Sequence, residues 1–70
     1  MTKEEYIKYY EGKIESLQEQ ILALSDQFRK RTRSGRIRSS ELLAYAQSLN
    51  SLEIEERVAI ETRIALLSLA

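Results

Sequence analysis

The chain contains no cysteine, histidine, proline or tryptophan, and only 2 glycines in 70 residues. Without cysteine there is no disulfide framework, no thiol nucleophile and no thiolate ligand for zinc. Without histidine, neither a Ser-His-Asp nor a Cys-His nucleophile system can be assembled. Charge of one sign is not in excess either: 11 basic residues balance 11 acidic ones. No apolar run approaches the roughly 20 residues that span a bilayer, and the most apolar stretch, residues 64–70, is far too short. The opening Met1-Thr2-Lys3-Glu4-Glu5 is polar and lacks the apolar core of a secretory signal. The expectation is a cytoplasmic chain with no catalytic residue, no metal, no cofactor and no small-molecule substrate.

The residues that are present favour helix. Hydrophobic residues make up 43% and charged residues 31%, and Leu, Ile, Ala, Glu, Gln, Lys and Arg dominate, which reads as one all-α domain rather than as disorder. Ordering each residue costs roughly 1.5 kcal/mol, which one small core barely offsets, so a partner is the default expectation where disulfides and metals are missing.

Thr2 and Glu5 have the spacing of a capping box. Ile7, Tyr10, Ile14, Leu17, Ile21, Leu24 and Phe28 then alternate in steps of three and four, an unbroken heptad seam that predicts a first helix over about 3–31. Gly12 lies off this seam and costs about 1 kcal/mol relative to Ala. Either something packs closely against it or the cost is tolerated. Arg29-Lys30-Arg31 places cations at the helix end, residues 32–39 read as a basic turn, and Gly35 is the candidate for a left-handed position. Ser39 or Ser40 is expected to cap a second helix over about 41–69. Asn50 with Glu53 has the spacing of an internal cap that would split this helix in two.

The second helix opens with Leu42, Tyr45, Ala46, Leu49 and Leu52 on one face. The stripe falters at Glu53, Glu55 and Glu56, then resumes as two rows: Ile54, Val58 and Ala65, and Ile60, Ile64 and Leu67. Folding back predicts an antiparallel two-helix hairpin with coiled-coil-like packing, Phe28 near Leu42, Ile21 near Leu49, Tyr10 near Ile60, and Tyr6 and Ile7 near Ile64 and Leu67. A lone hairpin buries one stripe per helix. The surplus apolar face predicts dimerisation into a four-helix bundle or docking on a partner, with Tyr6, Tyr9, Ile54, Val58, Ile60, Ile64 and Leu67 as the candidate interface.

Arg29, Lys30, Arg31, Arg33, Arg36 and Arg38 gather six of the 11 basic residues at the turn. Such a tip suits an acidic protein surface or nucleic-acid phosphates, and equally a solvated turn whose cations complement the helix end. Glu53 and Glu56, one turn apart, read as a solvated acidic face rather than a cation site, since there is no Asp-rich loop. Several serines are present, but without histidine a serine nucleophile needs a lysine base in a pocket, and two helices offer none.

Residues 35–52, with Ala46-Gln47-Ser48-Leu49-Asn50 at their centre, resemble the second helix of the small sporulation-type aspartyl-phosphate phosphatases, helical hairpins with the signature Ser-Gln-Glu-Leu-Asp. Gln47 and Leu49 match, while Ser48 and Asn50 stand where the signature has its acids. The resemblance therefore implies a divergent phosphatase or a binding antagonist of a response regulator. The overall layout is also similar to the co-chaperones of type III secretion needle subunits and to plasmid-type RNA-binding hairpin dimers, with no motif to carry residues across. The reading of the residues is a small non-enzymatic interaction protein acting as regulator, adaptor or co-chaperone through its apolar helix face. Nucleic-acid binding through the arginine-rich turn is the alternative.

Overall fold

The computed structural model describes residues 1–69 and consists of two helices, α1 (Lys3–Arg33) and α2 (Ser39–Ser68), folded back on each other. The result is an all-α antiparallel hairpin measuring 54 × 16 × 15 Å. Among the described residues there is no strand, and no helix is long and apolar enough to cross a membrane.

α1 begins as its sequence dictates. The Thr2 hydroxyl accepts from the Glu5 amide at 3.2 Å, satisfying one orphan donor of the first turn. The Glu5 carboxylate reaches back but accepts from the Thr2 hydroxyl at 3.3 Å instead of from the Thr2 backbone amide, so only half of the reciprocal box is made with backbone. At the other end Thr32 Oγ1 donates to the Arg29 carbonyl at 2.7 Å and Ser34 Oγ to the Arg31 carbonyl at 2.9 Å, so α1 runs two residues past the expected Arg31. Gly35 follows with φ +146°, a conformation that side-chain-bearing residues rarely adopt.

α2 starts one residue earlier than the serine-cap expectation allows. Its N-cap is Arg38, with no side-chain capping bond, and Ser39 and Ser40 lie inside the first turn. The cause is across the turn. Arg31 donates to the Arg36 carbonyl at 3.2 Å and pairs with the Glu41 carboxylate at 2.9 and 3.1 Å, which draws residues 36–41 tightly against the end of α1. α2 then continues unbroken through Asn50 and Glu53 to Ser68, so the internal cap is not used.

Every member of the α1 seam is half-buried or buried, and Leu17 is the most enclosed at 3% exposure. On α2 the inward row is Tyr45, Leu49, Leu52, Glu56, Ala59, Arg63 and Leu66, while Leu42, one step before it, stays exposed. The row keeps the heptad step but passes through two charged residues. Ala59, 1% exposed, is the most enclosed residue of α2. The register is fixed by Phe28 stacking on Tyr45, with ring centroids 4.0 Å apart, one turn beyond the Leu42 expected to meet it. Two polar ties support the same register: Ser25 to the Tyr45 hydroxyl at 3.3 Å, and Arg63 to Glu11 at 3.3 Å. At the open end the Lys3 ammonium donates to the Leu69 carbonyl.

Candidate interaction surface

The core is small because each helix gives only one stripe to the other. The accessible surface is 5514 Å² for a mass of 8.2 kDa. A compact monomer of that mass exposes roughly 4,500 Å². Large apolar side chains share in that exposure: Ile54, Val58, Ile64 and Leu67 on α2 all stand exposed, as do Tyr6 and Tyr9 on α1, while Ile60 is half-buried beside the seam.

The hairpin does not bring these seven residues into one patch. Successive residues turn by about 100° around the axis, so Ile60, Ile64 and Leu67 follow one side of the inward row, while Ile54 and Val58 point away from it. Val58 shares a depression with Tyr10 and Lys13, and Tyr9 shares one with Lys13 and Glu55. Tyr6, seven residues before Lys13, lies on that same edge. Ile54 also reaches the groove on the opposite side, which is lined by Ile21, Leu22, Asn50, Glu53 and Arg57. Two edges therefore carry the candidate interface: Tyr6, Tyr9 and Val58 on one, and Ile60, Ile64 and Leu67 on the other, with Ile54 between them.

Two exposed leucines belong with them. Leu22, 70% exposed, sits on α1 outside the seam, and Leu43 sits on α2 beside it. Leu22 is detectable in the sequence as a leucine out of register with its heptads. Leu43 is hidden there because Leu42 beside it satisfies the pattern.

The basic turn separates into paired and unpaired cations. Lys30 bridges Asp26 at 3.2 Å, and Arg31 is held by Glu41 and the Arg36 carbonyl. Arg29, Arg33, Arg36 and Arg38 have no ion-pair partner among the described residues. Glu53, exposed, and Glu56, half-buried, border the same groove beside Arg57, and among the described residues no three carboxylates are grouped to hold a cation. In the 46–50 segment only Leu49 is half-buried, and Gln47 is exposed.

No protein-family model, curated protein or solved structure matches the chain.

Proposed function

We propose that this chain is a non-enzymatic protein–protein interaction module, a regulator, adaptor or co-chaperone, working through the apolar surface of α2. The observation that carries this reading is the exposure of four large aliphatic side chains, Ile54, Val58, Ile64 and Leu67, on one helix of a hairpin with almost no enclosed core. The four lie on two edges of the hairpin rather than in one patch, and exposed apolar side chains in such number on so small a chain mark surfaces that partners cover. A side-chain inventory without histidine or cysteine supports the non-enzymatic part. A cytoplasmic setting, with which a cysteine-free composition is compatible, belongs to the same proposal.

Affinity isolation from the native host tests it. The parent chain should retain a defined protein that is lost with Ile54→Asp, Val58→Asp or Ile64→Asp, each of which leaves the helical circular dichroism intact because the side chains are exposed. Identical protein sets on parent and variants would reject the reading.

One observation favours a second reading, nucleic-acid binding. Four arginines at one tip, Arg29, Arg33, Arg36 and Arg38, lack ion-pair partners among the described residues. If they neutralise four phosphates of a duplex, log affinity falls with log salt at a slope of about −3.6. Replacing Arg33, Arg36 and Arg38 by Ala should abolish the gel shift, and no shift of the parent at low salt ends this reading.

A further inference from the structure

We infer that α2 carries a second, self-complementary seam through which two copies of this chain pair antiparallel, α2 against α2. This inference rests on the interaction reading above and names the partner as a second copy.

The seam is read from spacing and exposure together. Beside the inward row, Leu43, Ala46, Asn50, Glu53, Arg57, Ile60, Ile64 and Leu67 repeat in steps of three and four, the same heptad step turned by one position around α2. All but the half-buried Ile60 are exposed. The row is apolar at its start (Leu43, Ala46), charged at its centre (Glu53, Arg57), and apolar at its end (Ile60, Ile64, Leu67).

That order fits itself only when reversed. Set two copies antiparallel about the point midway between Glu53 and Arg57. Leu43 then faces Leu67 of the second copy, Ala46 faces Ile64, Asn50 faces Ile60, and Glu53 faces Arg57. Each pair matches an a position with a d position, the pairing of antiparallel coiled coils. The Glu53–Arg57 ion pair therefore forms twice, once on each side of the two-fold axis, and neither Glu53 nor Arg57 has an ion-pair partner among the described residues of the single chain. A parallel pairing does the opposite: it sets Glu53 on Glu53 and Arg57 on Arg57, and it brings two arginine-rich turns together. The contact is isologous and closes at two copies.

Area agrees with charge. The single hairpin exposes roughly 1,000 Å² more than a compact chain of its mass, and a standard interface removes about 800 Å² from each partner. Leu22, the most exposed leucine, lies against the charged centre of the seam, in the groove lined by Asn50, Glu53 and Arg57. It supplies apolar area where the seam itself is polar.

The absence of cysteine makes the test clean. The full chain with Leu43→Cys and Leu67→Cys together, oxidised at micromolar concentration, should give a closed covalent dimer. Either substitution alone should give none, because the two copies of one position lie about 36 Å apart along the axis. By sedimentation equilibrium, Glu53→Arg or Arg57→Glu should weaken the dimer about tenfold, and the double swap should restore it. Cross-linking by Leu43→Cys alone would show a parallel pairing and overturn the inference. A parent that stays monomeric into the sub-millimolar range overturns it too, and leaves the interaction reading to be decided by the affinity isolation. A dimer that neither cross-links nor responds to the charge swap overturns the seam, while its sensitivity to Val58→Asp would keep the interaction reading on the other edge.

Discussion

Phe28 and Tyr45 stack face to face, 12° from parallel with their centroids 4.0 Å apart, and together they lock the last turns of α1 to the first turns of α2. Aromatic pairs add about 0.5–1.5 kcal/mol beyond burial. Phe28→Ala should therefore lower unfolding free energy by roughly 2–3 kcal/mol, the low side for a phenylalanine truncation because the ring is only half-buried. Tyr45→Phe keeps the stack and loses only the bond to Ser25, costing about 1 kcal/mol. Urea denaturation at one fixed protein concentration compares them. Equal losses would show that the hydroxyl, not the stack, matters.

Leu17 and Ala59 are the two most enclosed side chains, at 3% and 1% exposure. Leu17→Ala should cost about 3 kcal/mol. Ala59→Leu, adding three carbons to a position already 1% exposed, should cost about 1–3 kcal/mol. If Ala59→Leu raises the melting temperature, the larger side chain fits beside α1 and packing at Ala59 is not a constraint.

The two glycines should respond in opposite ways to alanine. A methyl at Gly12 meets nothing within 4 Å, and its backbone is helical, so Gly12→Ala should stabilise by about 1 kcal/mol. Gly35 also has open space, but its φ of +146° strains any side-chain-bearing residue, so Gly35→Ala should destabilise by roughly 1–2 kcal/mol. A shared sign would contradict the backbone account.

Arg31 holds Glu41 from a partly solvated position at the end of α1. Solvated ion pairs contribute little, and Glu41→Gln should cost no more than about 1 kcal/mol, with the difference from the parent shrinking in high salt. Retention of the full loss in molar salt would mean that the bond to the Arg36 carbonyl, rather than charge, sets the turn.

The α1 seam is legible from sequence because Ile7 through Phe28 are apolar at every heptad position. The α2 seam is not, because Glu56 and Arg63 occupy inward positions where a reader of periodicity expects aliphatics. Their long stems cover the core edge while their charges reach solvent, with Arg63 meeting Glu11. The register shifted for a different reason. The pairing of Phe28 depends on how many residues the turn consumes, and the grip of Arg31 on Arg36 and Glu41, a contact between residues 5 and 10 apart, is invisible to any helical period. The candidate interface was legible as composition but not as shape. Which apolar residues share an edge follows from where the inward row runs, and two charged residues disguise that row.

The helices are covalently joined at one end only, and the contact between Lys3 and Leu69 is the outermost rung at the other. Closing the turn brings together partners 10 residues apart, while the rung at Lys3 closes a loop of 66, and loop entropy rises with that separation. The chain should therefore zip from the arginine-rich turn outward and fray from its ends inward. Amide protons of α1 should exchange progressively faster from Phe28 back to Tyr6, so the segment that opens first is the one that bears Tyr6, Tyr9 and Leu67.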